Sequence, residues 1–162
     1  MLRFIPVSLV LIVLALCPVS VQANDSADKD AVLSVVQALL DAINGQDAAA
    51  VHALGIDEAV LVSLRHDADG NPRIGFRKES ETNFPEEDRN MVERIWNPVV
   101  TVKGNIASVW APFDFYLDGK FSHCGINAFH LLKVAGTWKL SATTYTVVND
   151  GTCETHPSGP PQ

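Results

Sequence analysis

The sequence is poor in basic residues. Twelve Lys and Arg side chains against 19 Asp and Glu give a formal net charge of −7, and the isoelectric point is about 5.0. A chain without a basic stripe cannot neutralise many phosphates, so the composition disfavours a nucleic-acid partner. An anionic membrane surface is disfavoured for the same reason.

The sequence also has few cysteines, and its potential metal ligands show no ligand spacing. Three cysteines in 162 residues exclude a disulfide-dense scaffold, and a chain of this length buries roughly two-thirds of its unfolded surface without one. The cysteines form no C-x-x-C pair and the five histidines no H-E-x-x-H motif, so we predict no metal site. Because no phosphate-binding glycine loop or nucleotide fingerprint is present, we also predict no cofactor.

The amino terminus has the pattern of a targeting segment. Arg3 precedes an apolar run from Phe4 to Leu16, and Ala23 provides a small residue at a peptidase site. This pattern predicts a signal peptide at residues 1–23, cleaved after Ala23, and an exported protein, periplasmic or secreted. The alternative is an uncleaved membrane anchor, but the run is shorter than the roughly 20 residues of a spanning helix. No second such run follows, so we expect no membrane partner after cleavage.

Two cysteines remain after this cleavage, Cys124 and Cys153. Export exposes thiols to an oxidising environment, so we predict that the two pair. The bridge would close a loop of about 30 residues and stabilise the fold by roughly 3 kcal/mol. The alternative is two unpaired, buried thiols.

The mature chain begins with helical periodicity and then changes to strands. One apolar stripe predicts a helix from Ala27 to Asn44, and Asp47 is placed to cap a short helix from Ala48 to Leu54. From Ala59 onward, alternating residues around a turn at 67–72 predict a hairpin. The segment 85–88 has the composition of a first helical turn.

Three later turn signals divide the rest of the chain into a meander of four antiparallel strands. The signals are Gly104-Asn105, Asp118-Gly119 and Ala135-Gly136, and Pro98 and Pro112 predict bulges or edges within the strands. The fold class is therefore α+β, with one domain at 24–154. Three prolines in the last eight residues predict a disordered tail at 155–162.

A hairpin with its tip at residues 118–119 sets Asp114 opposite His123 and Trp110 opposite Asn127. Opposed residues share a face of the sheet, and polar groups on an aromatic background are typical of a ligand pocket. A carboxylate facing an imidazole can also prepare a general base, so Asp114 and His123 are the candidate catalytic pair.

Two alternatives remain for this pair. It can be an ordinary cross-strand contact near a solvated turn. A one-residue bulge, for which Pro112 is a warning, would instead move Asp114 to the opposite face. Both predicted faces carry apolar residues, so we expect the helices to cover one face and a second copy of the chain to cover the other.

Three segments carry a family resemblance: residues 93–98, 109–125 and 136–140, followed by Tyr145. Over about residues 28–153, and most specifically in its C-terminal half, the chain is similar to the exported branch of the nuclear transport factor 2-like superfamily, a branch that is grouped with SnoaL-like and lumazine-binding proteins. This resemblance implies a cone of N-terminal helices on a strongly curved antiparallel sheet, with a pocket inside and dimerisation through the outer sheet face.

The resemblance also limits what the protein can do. The superfamily includes isomerases, cyclases, dehydratases and proteins that only bind. The lumazine label implies a small apolar or heteroaromatic ligand that Trp110 or Phe129 could stack on and Asn127 could hydrogen-bond, with Tyr116 on the same predicted face. We therefore favour an exported small-molecule-binding or accessory domain. The alternatives are an isomerase, cyclase or dehydratase that uses Asp114 as a base oriented by His123, and a structural role through the outer face.

Overall fold

The computed structural model describes residues 21–84 and 89–161. Most of the predicted signal peptide, with Cys17, and the predicted helical turn at 85–88 lie outside these ranges. Within them, no helix is long and apolar enough to cross a membrane. The elements are α1 Val21–Asn44, α2 Ala48–Leu54, β1 Gly55–His66, β2 Pro72–Lys78, a 3-10 turn Glu79–Glu81, β3 Met91–Ile95, β4 Val99–Lys103, β5 Ile106–Leu117, β6 Lys120–Val134 and β7 Thr137–Thr146.

The two predicted helices are confirmed. Helix α1 begins at Val21, six residues before the predicted start, and α2 has the predicted bounds. The Asp47 carboxylate accepts the backbone N–H of Ala50 at 2.9 Å, so the predicted cap is present. The predicted cleavage site after Ala23 lies in the first turn of α1, ahead of Val32, which is fully buried.

The apolar stripe of α1 packs on one side of the sheet and forms the core with it. Near the start of α1, Asp28 accepts hydrogen bonds from Lys133 at 2.5 Å and from Trp138 at 3.2 Å. The Lys133 and Trp138 hydrogen bonds lower the pKa of Asp28 below its usual value. The core residues are Val32, Val36, Leu39, Ala42, Val51, Ala107, Val109, Phe129, Leu131, Trp138 and Leu140.

The seven-stranded sheet is mixed, which corrects the prediction of an antiparallel sheet. The strand order is β2-β1-β7-β6-β5-β3, with β4 also paired to β5. Strands β1 and β7 run parallel, with Val60 opposite Ala142. Turn signals predict pairing between neighbours in a hairpin, whereas this contact joins the first strand to the last and leaves no local signal.

The two prolines mark a break at the edge of the sheet. Pro98 lies between β3 and β4, both of which pair with β5. Pro112 stays inside β5, opposite this break, where its carbonyl accepts the N–H of Trp96 at 3.3 Å. The missing N–H of Pro112 therefore faces a gap in the ladder and costs no strand hydrogen bond.

The predicted β5–β6 register is correct at the turn and wrong beyond it. Leu117 opposes Lys120 as predicted, but a bulge at Ser122 then shifts the register by one residue. His123 consequently opposes Phe115, and Asp114 lies on the other face. The sequence left a one-residue bulge open as an alternative to the facing Asp114–His123 pair. Such a bulge is observed, at Ser122 and not at Pro112.

The β6–β7 register follows the same course. Lys133 opposes Trp138 and Leu131 opposes Leu140, as a tight hairpin with its tip at the predicted turn Ala135-Gly136 requires. An extra residue at Ser141 then shifts the register, so that Phe129 opposes Thr143. We call the side of the sheet that carries Phe129 and packs against the helices the inner face, and the opposite side the outer face.

The predicted disulfide between Cys124 and Cys153 is present, with 6.1 Å between the two Cα atoms. Cys124 also exchanges backbone hydrogen bonds with Val148, at 3.0 and 2.8 Å. Together these bonds hold the chain after β7 against the outer face. The tail, for which the composition predicts disorder, is described up to Pro161, and the His156 ring meets the Trp96 ring edge to face, with 5.2 Å between centroids.

Candidate functional site

The inner face and the helices enclose a cavity of about 250 Å³. Its volume is just below the range of about 300–1,000 Å³ that is usual for ligand pockets, so it suits a small molecule. Apolar and aromatic side chains form most of its wall. The lining residues are Leu39, Ile43, Val51, Leu61, Arg77, Glu79, Thr82, Asn83, Phe84, Met91, Glu93, Phe113, Phe115, His123, Asn127, Phe129, Thr143 and Tyr145.

A hydrogen-bonded pair, Glu93 and Asn127, provides the central polar group of this wall. Asn127 Nδ2 donates to Glu93 Oε1 at 2.9 Å, and Asn127 is buried. At the end of α1, the Asn44 side chain accepts the Glu93 backbone N–H at 2.6 Å and donates to its carbonyl oxygen at 3.1 Å. Glu93 is thus held through its backbone by a helix and through its side chain by β6.

The surroundings of Glu93 favour its protonated form. Burial raises the pKa of Glu93 from 4.5 to about 7, against the opposing effect of the Asn127 hydrogen bond, and the charge of Asp114 adds to the rise. A carboxyl group with a pKa near neutrality can both give and accept a proton. The cavity therefore contains a group suited to acid–base chemistry.

A second carboxylate and two hydroxyls add to the polar content of the cavity. Glu79, in the 3-10 turn, is 5% exposed, and burial raises its pKa, while the charges of Arg77 and His52 act in the opposite direction. The hydroxyl oxygens of Thr82 and Thr143 are buried with no hydrogen-bond partner among the described residues. Since buried polar groups are nearly always paired, these hydroxyls suit the polar atoms of a ligand.

His123 lies in the cavity wall among aromatic rings. Its ring stacks on Phe115 with 5.0 Å between centroids, and meets Phe113 edge-on at 5.6 Å. Ser122 Oγ lies 3.1 Å from His123 Nδ1. Burial, reinforced by the charge of Arg65, lowers the pKa of His123, which favours a neutral imidazole.

The structure separates the predicted site residues into two groups. His123, Asn127 and Phe129 line the cavity. Asp114 lies on the outer face, so the predicted Asp114–His123 catalytic pair does not form. The cause is the bulge at Ser122, which puts the two side chains on opposite faces.

Asp114 has a different partner on the outer face. Arg94 donates to its two carboxylate oxygens at 2.9 and 2.5 Å, and Asp114 is buried. Tyr116 lies under the same guanidinium, 5.6 Å from its ring centroid, and Trp110 is half exposed on the outer face. The predicted roles of Asp114, Trp110 and Tyr116 in the pocket are therefore wrong.

Sequence reasoning missed Glu93, although a signal was present. Met91, Glu93 and Ile95 alternate along β3, so a strand that faces the core with Met91 and Ile95 must carry Glu93 inward as well. An acidic residue between two inward apolar positions is the pattern of a buried carboxylate. Glu79 and Thr143 gave no comparable signal, because their positions depend on a turn and on the bulge at Ser141.

The residues do not assemble a metal centre within the described ranges. No three His, Cys, Asp or Glu side chains converge there as ligands. The polar groups of the cavity instead suit hydrogen bonding and proton transfer.

The fold is similar to solved structures at low sequence identity. The β subunit of a candidate aromatic-ring-hydroxylating dioxygenase from Novosphingobium aromaticivorans matches with a TM-score of 0.62 and 14% identity, over 85% of this chain and 98% of that one. A nuclear transport factor 2-like protein from Salmonella enterica matches with a TM-score of 0.58 and 15% identity, over 81% of this chain and 99% of that one. A candidate dehydratase of the nuclear transport factor 2-like family from Streptomyces avermitilis matches with a TM-score of 0.57 and 13% identity, over 76% of this chain and 97% of that one. No protein-family model and no curated protein matches the sequence.

The raised pKa of Glu93 predicts a pH-dependent stability difference for Glu93→Gln. Because the folded-state pKa is about 7 and the ordinary value is 4.5, protonation of Glu93 stabilises the fold at low pH, and this contribution is lost as pH rises through 7. Glutamine stays neutral, so near pH 4 the variant and the unmodified chain should have the same free energy of unfolding. Near pH 8 the free energy of unfolding of Glu93→Gln should be higher by on the order of 3 kcal/mol.

Urea unfolding of both proteins between about pH 4 and 8 measures this difference. Glu58→Gln, at an exposed position on β1, is the matched control and should leave the profile unchanged. A constant difference between Glu93→Gln and the unmodified chain across the range would contradict a buried, titrating Glu93.

Proposed function

We propose that this chain, which has the nuclear transport factor 2-like fold, is an exported small-molecule-binding or accessory domain whose ligand occupies the cavity. The observation that carries the proposal is the hydrogen-bonded Glu93–Asn127 pair in a cavity whose wall is mostly apolar and aromatic. An apolar wall with a few fixed polar groups is the usual composition of a ligand site.

The wall indicates the chemistry of the ligand. His123 and Phe115 present stacked rings, and Phe129 and Tyr145 add aromatic surface. Aromatic walls of this kind pack against planar rings, which supports a small apolar or heteroaromatic molecule. In this proposal Asn127 hydrogen-bonds to the ligand and Phe129 stacks on it. Trp110, which lies on the outer face, does not contact the ligand.

Export is part of the same proposal. The signal-peptide pattern at residues 1–23 supports it. The disulfide between Cys124 and Cys153 is independent support, because such bonds persist mainly in oxidising compartments. The compartment would be the periplasm or the external medium.

Retention of a ligand tests the binding function directly. Native mass spectrometry of the protein purified from its own host, compared with the denatured protein, should show extra mass of a few hundred daltons or less. Leu61→Trp should abolish this extra mass, since Leu61 lines the cavity and the indole would fill it.

Leu64→Trp is the matched control on the same strand. Leu64 opposes Ile74 on the outer face, so an indole there leaves the cavity open, and this variant should retain the ligand. Equal retention by both variants would place the bound molecule elsewhere and contradict the proposal.

A proton-transferring enzyme is the second candidate function, and one observation favours it. Glu93 lines the cavity with a pKa of about 7, which suits a group that moves a proton near neutral pH. An isomerase, cyclase or dehydratase would then use Glu93 in place of the predicted Asp114–His123 pair. His123, neutral and 3.1 Å from Ser122, would orient the substrate.

Glu93→Gln separates the two candidates once the retained molecule is known. Under the enzyme function, the exchange of a substrate C–H with deuterated water should fall about 100-fold or more, with binding preserved. Glu79→Gln, which alters the other cavity carboxylate, should have a smaller effect. Equal exchange rates in Glu93→Gln and the unmodified chain would leave binding as the function.

A homodimer through the outer face is the proposed assembly. Six large apolar side chains are at least half exposed there: Ile74 at 75%, Phe76 at 71%, Val99 at 60%, Ile106 at 56%, Trp110 at 50% and Val134 at 50%. Val62 and Leu64 oppose Phe76 and Ile74 on the same face. A wide exposed apolar surface of this kind usually lies in an interface.

The double variant Phe76→Lys/Trp110→Lys should be monomeric under conditions in which the unmodified chain is a dimer. Phe76 lies on β2 and Trp110 on β5, toward opposite edges of this face, and a lysine at either position cannot be buried without a charged partner. Sedimentation equilibrium measures the change. Ala49→Lys is the control, since Ala49 is exposed on α2, on the side of the sheet opposite the outer face. A monomeric unmodified chain at high concentration would rule the dimer out.

A further inference from the structure

A cleft of about 320 Å³ adjoins the cavity at the β1–β2 hairpin. Three arginines, Arg65, Arg73 and Arg77, line it. The strand register explains the cluster, because Arg65 opposes Arg73 and Arg77 opposes Leu61. Alternation along the two strands therefore turns all three guanidinium groups toward the inner side of the hairpin.

A glycine keeps the centre of this cleft open. Gly75 opposes Ser63 between the two arginine positions of β2. A Cβ built at Gly75 would lie 2.5 Å from Ser63 Oγ, so a larger side chain would fill the space or displace the hydroxyl. The hairpin thus forms a concave surface with a serine at its base and arginines around it.

Two of the three arginines have charges that are not neutralised locally. Arg73 pairs with Asp67 at 2.9 Å, whereas Arg65 and Arg77 make no ion pair or side-chain hydrogen bond within the described residues. The charge of Arg77 acts on the carboxyl group of Glu79, but burial of Glu79 favours its neutral form. In a chain of net charge −7, two uncompensated arginines at the two ends of one cleft, on either side of the Ser63–Gly75 pair, are a local positive site.

The cleft and the cavity share part of their lining. Leu61, Arg77 and Tyr145 line both spaces. The charge of Arg65 is also felt by His123, which lies in the cavity wall. A molecule that fills the cavity would therefore reach the arginines with the end that points toward the hairpin.

We infer that the cleft is an oxyanion subsite, and that the ligand of the cavity carries a carboxylate or phosphate group held by Arg65 and Arg77. This inference rests on the proposed binding function and defines its ligand class as an amphipathic anion. Guanidinium groups bind such oxygens through paired, charge-assisted hydrogen bonds. The apolar body occupies the inner face, and the charged end stays at the open cleft, where its desolvation is incomplete.

Isothermal titration calorimetry with matched probes tests the subsite on the full chain. The probes are 4-phenylbutyrate and 4-phenylbutan-1-ol, which share an apolar body and differ in charge. The carboxylate should bind about tenfold more tightly or better, as expected for charge-assisted hydrogen bonds, and added salt should reduce this advantage. A phosphate monoester of the same alcohol distinguishes the two oxyanion sources by its affinity relative to the carboxylate.

Arg77→Gln and Arg65→Gln should each remove most of the advantage of the anionic probes. Both positions are exposed, so the variants should fold. Arg65 lines the cleft and not the cavity, so Arg65→Gln should bind the alcohol unchanged. Lys103→Gln is the matched control, since it removes the same charge from an exposed position on β4, outside the cleft.

Two results would overturn the inference. Equal binding of alcohol and carboxylate, unaffected by either arginine variant, would show that the arginines only solvate an edge strand, while binding in the cavity would stand. Binding of neither probe, together with no ligand retained from the host, would overturn the subsite and the proposed function together.

Discussion

The bulge at Ser122 is the constraint on which the chemistry of both sheet faces depends. It adds one residue to β6, so His123 and Asn127 point to the inner face while Asp114 points away. Without it, Asp114 would share a face with His123 and Asn127. Because side chains alternate with a period of two, one residue exchanges the contents of the two faces.

The inner face then combines features that are costly when taken separately. A buried carboxyl group is unfavourable in its charged form, yet Asn44 and Asn127 hold Glu93 by its backbone and its side chain. The result is a fixed polar group with a pKa of about 7 inside an apolar enclosure. Binding and proton transfer both use such a group, which explains why one site supports two candidate functions.

The outer face is organised by covalent and ionic contacts. The disulfide from Cys124 to Cys153 holds the tail beside the buried Arg94–Asp114 ion pair. Asp114, Tyr116 and the tail enclose a separate space there. The exposed apolar surface around Trp110 lies outside this covered region, so the tail limits how much of the outer face is open to a second copy.

The sequence by itself determined the elements whose signals are local. The apolar stripe of α1, the Asp47 cap, the hairpin turns and the pairing of Cys124 with Cys153 were all predictable. Their signals depend on composition, on short-range periodicity or, for the cysteines, on there being one pair to form.

Tertiary structure alone decided the rest. A bulge changes no composition and leaves little local signal, so Ser122 and Ser141 became visible as extra residues only through the strand pairing. The parallel contact of β1 with β7 and the hydrogen-bonded Glu93–Asn127 pair require elements distant in the chain to meet. Their side chains acquire a site, and Glu93 its raised pKa, from neighbours that the local sequence does not specify.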